Sequence, residues 1–201
     1  MQPVAGKIIL NGKDLTYKSI RERNVSGISH IPEDRHRLGL VLDYSLAENL
    51  ILQRYFTGRF QSHGFLKFGE IEKYSDCLIK EYDIRSAKGP KTNMRSMSGG
   101  NQQKAIIARE IDRDTDLLIA VQPTRGLDVG AIESISRQII AQRDSGKAVL
   151  LISLELEEVM NVSDRILVIY EGELVAEVFP EKTTIMDLGL YMSGSRRQKG
   201  R

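Results

Sequence analysis

The chain has 201 residues, of which 41% are hydrophobic and 28% are charged, and its formal net charge at pH 7 is +2. This composition fits a folded protein with a sizeable core and excludes an intrinsically disordered chain. The near balance of charge indicates no particular class of partner, and a single cysteine, Cys77, excludes a disulfide framework.

A hairpin and a short strand are predicted first. The segment KIILNGKDLT (7–16) has two short apolar runs around Asn11-Gly12. Because Asn-Gly tolerates the positive backbone angles of a two-residue turn, this pattern predicts a β-hairpin. The segment GISHIPEDR (27–35) predicts a short strand that ends at Pro32 in a charged loop.

Helices are predicted next, at about residues 40–95. Ser45 and Glu48 have the spacing of a capping box at a helix start. A second helix is predicted over 69–84, and Cys77 falls within its apolar pattern, so we expect Cys77 to pack in the core. Residues 57–64 between the two helices are predicted to be mobile.

Five aromatic side chains surround that segment. They are Tyr55, Phe56, Phe60, Phe65 and Phe68. Aromatic side chains near helices usually pack inward, so we expect them mainly in the core of the helical block. The alternative is that they line a docking groove.

From residue 116 onward, short apolar runs alternate with amphipathic segments. The order DLLIAVQP, DVGAIESISRQIIAQR, KAVLLIS, ELEEVMNVS and RILVIYEGELVAEV predicts strand, helix, strand, helix and a final strand pair. This order is typical of an α/β fold with a parallel sheet. The longest apolar stretch, AVLLIS (148–153), is far shorter than the roughly 20 residues that span a bilayer.

Two loop motifs carry the chemistry. SMSGGNQQK (96–104) predicts a tight turn that opens into a helix, an arrangement that presents free amide groups to an anion. QPTRGLDVGA (122–131) predicts a second turn, with Asp128 ahead of a helix. A glycine-rich turn alone is weak evidence, but ISLELEE (152–158) and SDRILVIYEGEL (163–174) follow both turns in order.

Together these motifs resemble the second half of an ABC-type ATPase domain, and nearly all 201 residues take part in the resemblance. The nearest likeness is the C-terminal nucleotide-binding domain of tandem ATPases that serve bacterial importers of simple sugars and nucleosides. The resemblance implies an α/β fold of the P-loop NTPase-like (RecA-like) type. In such a fold a parallel sheet core carries an inserted α-helical subdomain and a short antiparallel β portion.

The same resemblance implies a division of the chain. Residues 1–34 would form the β-hairpin and first core strand, 35–97 the helical subdomain, and 98–192 the signature helix and α/β core. Residues 193–201 would form a flexible basic tail. A role for this tail with nucleic acid or lipid is the less favoured alternative to a solvated terminus.

Residue by residue, the resemblance implies a signature motif that caps the γ-phosphate of an ATP held by an opposite domain. This motif comprises Ser98, Gly99, Gly100, Asn101 and Gln102. Asn101 stands where most family members have glutamine. Asp128 matches the D-loop aspartate at the seam between the two domains, and a helix-capping role for Asp128 can coexist with that position.

Four positions depart from the family pattern. Val121 and Gln122 stand where the family has its metal-side aspartate and catalytic glutamate, and Leu154 replaces the switch histidine. Glu33 occupies the position of the Q-loop glutamine. Valine offers no ligand to magnesium and a neutral amide accepts no proton from water, so we expect a degenerate site with no catalytic residue and no metal.

The phosphate-binding loop GxxxxGKS or GxxxxGKT does not occur in the 201 residues. In the family it precedes the hairpin by a few dozen residues, so the resemblance implies that Met1 follows it, in an excised fragment or a truncation. We therefore expect negligible hydrolysis and no tight nucleotide binding by this chain alone, although it belongs to an ATPase. ATP and Mg²⁺ would be cofactors of the full-length assembly.

The implied partners are the N-terminal ATPase domain of the same protein and transmembrane permease subunits that bind the helical subdomain. An extracellular solute-binding protein would be an indirect partner, nucleic acid would not be one, and the assembly would lie at the cytoplasmic face of the membrane. Two alternatives stay open: a non-transport member acting on nucleic acid or ribosomes, and a purely regulatory domain. Val121 and Gln122 favour the nucleoside-type branch over ribose or galactose importers.

Overall fold

The computed structural model describes residues 3–198. The helices are α1 (Ile20–Val25), α2 (Leu46–Ile51), α3 (Phe68–Glu81), α4 (Gly99–Ile111), α5 (Val129–Asp144), α6 (Leu156–Val162) and α7 (Ile185–Met192). The strands are β1 (Ile9–Leu10), β2 (Lys13–Asp14), β3 (Ile28–Ile31), β4 (Gln61–Ser62), β5 (Phe65–Leu66), β6 (Leu117–Val121), β7 (Ala148–Ile152), β8 (Ile166–Tyr170) and β9 (Glu173–Val178).

A three-stranded parallel sheet is the centre of the fold. Its strand order is β3-β6-β7, and both pairings are parallel. Helix α4 lies in the connection between β3 and β6, and α5 lies between β6 and β7. Parallel neighbours require such crossover connections, so the predicted α/β class with a parallel sheet is confirmed.

The last two strands, β8 and β9, form a separate antiparallel pair. Strand β8 pairs with β9 in antiparallel register, across a turn at Glu171 and Gly172. Among the described residues it has no hydrogen-bonded pairing with the parallel sheet. The two strands are joined by a two-residue turn, and such a connection can only produce an antiparallel pair.

The buried apolar residues form two clusters. The larger one joins the parallel sheet to α2, α3, α4 and α5, and the smaller one fills the space between the β8–β9 pair and α7. Phe60, Ile106 and Ile31 are fully buried in the larger cluster. The turns described below are therefore built on helices whose inner faces are fixed in this core.

Strand β7 is open on one side. Leu150 and Ile152 alternate along it, and each is 48% exposed. A parallel strand in an α/β fold normally has both faces covered. Within residues 3–198, no other element covers this apolar row of β7 side chains.

Two local predictions are confirmed in detail. Asn11 and Gly12 have φ angles of 49° and 76°, which are the left-handed values that the predicted two-residue hairpin needs. Ser45 and Glu48 form a reciprocal capping box at the start of α2. Both features depend on residues that are at most three positions apart, so they can be predicted from the local sequence.

The segment predicted to be mobile is instead structured. Strands β4 and β5 form a small hairpin across His63 and Gly64, whose φ angles are 50° and 86°. Only one of its neighbouring aromatic side chains, Phe60, is fully buried, whereas Phe65 and Phe68 are 79% and 66% exposed. The expectation of a mainly core position is confirmed for Phe60 and wrong for Tyr55, Phe65 and Phe68. Phe65 lies in β5, and both residues of this short strand are exposed.

Cys77 is also exposed, contrary to the sequence prediction. Helix α3 buries Ile71, Tyr74, Ser75 and Leu78, so Cys77 lies just outside the inward stripe. A helix turns 100° per residue, and one position beside a buried residue is enough to reach solvent.

The described part of the predicted flexible tail is held against the fold. Gln198 donates its backbone N–H to the carbonyl of Val175 and its side-chain amide to that of Glu177, both at 3.0 Å. Arg196 forms an ion pair with Asp187 at 2.8 Å. Residues 199–201, which complete the predicted tail, lie outside the described residues.

No helix within residues 3–198 has both the length and the apolar character needed to cross a bilayer.

Candidate functional site

The predicted signature turn lies at the start of α4, where Ser98 is the N-cap. Its Oγ accepts hydrogen bonds from the Asn101 backbone N–H at 3.5 Å and from Asn101 Nδ2 at 2.9 Å. Asn101 Oδ1 in turn accepts the backbone N–H of Arg85 at 2.8 Å. Asn101 therefore fixes the Ser98 oxygen, and the Ser98 hydroxyl hydrogen has no acceptor among residues 3–198.

The two glycines of this turn allow a close approach of neighbouring groups. A Cβ atom on Gly99 would lie 3.0 Å from Nη2 of Arg35. A Cβ atom on Gly100 would lie 3.5 Å from Cβ of Ala131 and 3.7 Å from Oδ2 of Asp128. The turn is thus enclosed by Arg35 on one side and by the start of α5 on the other.

Asp128 caps α5, since its Oδ1 accepts the Ala131 N–H at 2.9 Å. The capping role expected from sequence is confirmed. The closeness of Asp128 to Gly100 also brings together the starts of α4 and α5, although these two residues are 28 positions apart in the chain. The N-termini of α4 and α5, which carry partial positive charge and amide groups without helical partners, therefore lie close together beside the Asp128 carboxylate.

Gln102 does not share this position with Ser98. It is 4% exposed, and its Nε2 donates to the carbonyl of Met94 at 3.0 Å. Its Oε1 lies 2.9 Å from Nε2 of His36. Gln102 thus falls on the inner face of α4, where it ties the helix to the segments before it, and its predicted role in the signature motif stays a prediction.

Val121, Gln122 and Leu154 lie at or just after the carboxyl ends of β6 and β7. Val121 is the last residue of β6, and Gln122 follows it with φ 49° and 8% exposure. The Gln122 backbone N–H donates to the carbonyl of Ile152 at 2.8 Å. A non-glycine residue in this region is uncommon, and here the ladder bond to β7 holds it.

Mg²⁺ does not fit these residues. Val121 has no ligand atom, and Leu154 is an alkyl side chain that is 70% exposed. Within residues 3–198 no group of three or more His, Cys, Asp or Glu side chains is arranged to hold a metal ion. No step of a metal-assisted reaction can be assigned to this set of residues.

Glu33 is part of an ion-paired link to the turn after β6. Its Oε1 lies 2.8 Å from Nη1 of Arg125, and both side chains are more than half exposed. Arg35 donates to the carbonyl of Arg125 at 3.2 Å. The backbone N–H of Arg37 donates to the Asp34 carboxylate, and this bond lowers the pKa of Asp34. Glu33 is consequently paired with a guanidinium at an exposed position, where such a pair contributes at most about 1 kcal/mol.

Three side chains that the sequence motifs did not single out also position this site. Gln103, 2% exposed, donates to the carbonyl of Pro123 at 2.8 Å and thereby joins α4 to the turn before Asp128. Thr124 donates to Glu158 Oε1 at 2.8 Å. Helical periodicity could have found Gln103, because it lies on the same inner face as Ile107 and Glu110.

Comparison with known proteins gives a family and several relatives. The family model described as ABC transporter matches residues 1–125. The chain is 55% identical over 195 residues to the guanosine import ATP-binding protein NupO of Bacillus subtilis (strain 168). It is 52% identical over 190 residues to the nucleoside import ATP-binding protein NupA of Lactococcus lactis subsp. cremoris (strain MG1363). The ribose import ATP-binding protein RbsA of Oceanobacillus iheyensis is 36% identical over 189 residues.

These alignments include nearly all of this chain but a minor part of each relative. They span 97% of this chain and 38% of NupO, 94% and 37% for NupA, and 94% and 38% for RbsA. The chain therefore spans less than two fifths of the length of these curated relatives.

Solved structures show the fold. The dimeric, post-hydrolysis ATP-binding cassette MJ0796 bound to ADP and Pi superposes with a TM-score of 0.69 at 19% identity, over 90% of this chain and 75% of that one. A nucleotide-free ATP-binding cassette from an ABC transporter gives 0.70 at 18% identity, over 89% and 71%. The arrangement of β3, β6, β7 and their helices is thus that of an ATP-binding cassette.

Proposed function

Since this chain belongs to the ABC transporter family, we propose that it is part of the ATP-binding, energy-coupling subunit of an importer for nucleosides or simple sugars. Among the two solute classes we favour nucleosides. The relatives named for guanosine and nucleoside import are 55% and 52% identical, whereas the ribose import relative is 36% identical.

In this proposal the turn at Ser98–Gly100 binds the γ-phosphate of an ATP whose phosphate loop belongs to another domain. The observation that carries it is the close approach of Gly100 to Asp128, where a Cβ atom on Gly100 would lie 3.7 Å from Oδ2, so that the N-termini of α4 and α5 lie at one corner. An available serine hydroxyl and free helix amides suit a multiply charged oxyanion. Asn101 serves here by orienting Ser98, and Gln102 by holding the helix in place.

The chain's own strand ends form the degenerate half of the pair. Val121, Gln122 and Leu154 offer neither a metal ligand nor a proton acceptor of suitable basicity. Glu33 is paired with Arg125. The metal, the base and the phosphate loop of the working site are therefore proposed to come from the N-terminal ATPase domain of the same protein, and ATP with Mg²⁺ to be cofactors of that assembly.

The open face of β7 supports a further part of this proposal. Leu150 and Ile152 present an apolar row that would be covered by the strand and helix on either side of a phosphate loop. We propose that polypeptide outside the 201 residues supplies that cover. The chain's share of 38% of NupO leaves ample length for it.

The helical subdomain is proposed to bind the transmembrane permease at the cytoplasmic face of the membrane. Exposed Phe65 and Phe68, beside the β4–β5 hairpin, are apolar side chains suited to such a contact. A solute-binding protein on the outer side would deliver the solute to the permease and would not touch this chain.

ATP hydrolysis by the full-length protein tests the proposal. Ser98→Asp should lower kcat at least about 100-fold, because a carboxylate replaces a donor where phosphate charge must be bound. Ser195→Asp adds the same charge at an exposed site and is the matched control. The double change Val121→Asp with Gln122→Glu should leave kcat within about two-fold.

Three outcomes would contradict the proposal. One is normal hydrolysis in the Ser98 variant, and another is strong activation by the restored acids. The third is phosphate release by the purified 201-residue chain without its partner domain.

Stimulation of the reconstituted importer by guanosine and not by ribose would support the nucleoside assignment, and the reverse would oppose it.

A further inference from the structure

A cavity of about 620 Å³ lies between α5, α6 and the turn at residues 124–127. It is on the α6 side of that turn, and neither Ser98 nor Gly99 lines it. Its volume is within the range of pockets that hold small ligands. No role in the proposed ATP site requires this space.

One carboxylate in its wall is only half satisfied. Glu158 is 8% exposed and lines the cavity, and its Oε1 accepts the Thr124 hydroxyl at 2.8 Å. Its Oε2 is buried and has no hydrogen-bond donor among residues 3–198. A buried carboxylate oxygen without a donor is costly, so a rotation of the side chain that turns this atom toward the cavity would gain a hydrogen bond from a cation bound there.

The remaining charges of the wall are mostly negative. Glu133, Glu155 and Glu157 add three exposed carboxylates, against the guanidinium groups of Arg125 and Arg137. Arg125 is already paired with the carboxylate of Glu33, which lies outside the cavity lining. Four carboxylates against two guanidiniums leave the cavity wall with a negative excess, which attracts cations.

The rest of the wall selects the kind of cation. Leu127, Ile132, Ile140 and Val162 supply an apolar surface that suits a chain of methylene groups. Glu158 offers one free oxygen and not two, which fits a compact ammonium better than the two-pronged fork of a guanidinium. The residues do not form a cluster that holds a metal ion, as judged over residues 3–198.

We propose that this cavity is a binding site for an alkylammonium group, with the ammonium at Glu158 Oε2 and its methylene stem on the apolar wall. The group can come from a free polyamine or from a lysine side chain. A polyamine would place its further ammonium groups near the exposed glutamates at the rim.

Isothermal titration of the purified chain with spermidine, at pH 7 and fixed ionic strength, tests this site. We expect one binding event per chain that Glu158→Gln weakens at least about 10-fold, because glutamine keeps the acceptor for Thr124 but removes the charge. Glu181→Gln, an exposed glutamate outside the cavity lining, is the matched control and should leave the affinity unchanged.

A second variant keeps the test decisive if Glu158→Gln does not fold. The rim double variant Glu133→Gln with Glu157→Gln leaves the buried carboxylate intact and should weaken spermidine about 3- to 10-fold. Nα-acetyl-lysine amide distinguishes the sources, because tighter binding of that probe than of spermidine indicates a lysine side chain and the opposite order indicates a polyamine.

The site would be overturned if neither spermidine nor Nα-acetyl-lysine amide bound, or if the cavity variants and the control bound the ligand equally. Butylguanidine, whose only charged group is a guanidinium, should bind more weakly than butylamine, which has the same stem and an ammonium. Equal competition by MgCl₂ at matched ionic strength would show general charge screening and would also refute the proposal.

Discussion

Ser98 has a structural role that can be separated from its proposed role in phosphate binding. As N-cap of α4 it accepts a long bond of 3.5 Å from the Asn101 N–H and a good one of 2.9 Å from the Asn101 side chain. Loss of an N-cap costs about 0.5–2 kcal/mol. Because the backbone bond is near the limit for a hydrogen bond, we expect Ser98→Ala to cost about 1 kcal/mol.

For a chain of this size, that loss lowers the melting temperature by about 2–4 °C. Ser98→Asp should melt within about 2 °C of the parent, because aspartate is also a good N-cap and its charge interacts favourably with the helix N-terminus. The same variant should abolish ATP hydrolysis in the full-length protein. Ser98→Asp is therefore expected to keep the stability of the protein and to lose its activity, which separates the two roles of Ser98.

Thermal unfolding followed by circular dichroism measures the stability part. Ser45→Ala, at a complete capping box on α2, is the control and should cost at least as much as Ser98→Ala. If Ser98→Asp unfolded as early as Ser98→Ala, the assignment of Ser98 as a cap would be wrong. Its loss of activity could then no longer be separated from damage to the helix.

Three further predictions concern the scaffold. Arg109→Met should lower the free energy of unfolding, measured in urea, by about 3–5 kcal/mol, because Arg109 is 3% exposed within a buried ion-pair network. The control Arg95→Met, at an exposed ion pair, should lower it by under about 1 kcal/mol. Gly194→Ala should lower the melting temperature by at least about 2 °C, since φ is 71° and the new methyl group would overlap the Tyr170 ring; an unchanged melting temperature would contradict that contact. Burial raises the pKa of Tyr74 above its ordinary value of 10.0, so the native state keeps a proton that the unfolded chain releases, and stability should fall as pH rises above about 10. Tyr74→Phe should reduce that loss by up to about 1.4 kcal/mol per pH unit in urea titrations between pH 9 and 11, and an unchanged slope would contradict this reasoning.

The elements that the sequence predicted well depend on short-range signals. Asn11-Gly12 sets a turn by the backbone preferences of two residues, and Ser45 with Glu48 sets a helix start over one turn. The alternation of strands and helices after residue 116 likewise follows from local periodicity. These features need no knowledge of distant parts of the chain.

The features that sequence reasoning missed depend on contacts between distant residues. Glu33 and Arg125 are 92 positions apart, so no local pattern connects them. The spacing of Gln102 from the apolar residues of α4 indicated an inward position. The sequence motif suggested a ligand contact instead, and we gave the motif more weight. The prediction of mobility for residues 57–64 overlooked the β4–β5 hairpin, because its strands have only two residues each.

The residue types at the site could be predicted from sequence, but the contacts between them could not. The absence of acid side chains at Val121 and Gln122 is a sequence fact, and so is the identity of Ser98 and its two glycines. The contact between Gly100 and the start of α5 comes from tertiary packing and required the structure. The half-satisfied carboxylate of Glu158 likewise depends on how α6 lies against the turn at 124–127.

The central claim is that the Ser98–Gly100 turn completes an ATP site held by another domain. Sedimentation of the purified chain mixed with the N-terminal ATPase domain of the same protein, with and without ATP, tests it most directly. The claim predicts association that requires ATP and is lost in Ser98→Asp but kept in Ser195→Asp. Tight binding of ATP by the chain alone, with association that is independent of both nucleotide and Ser98, would contradict it.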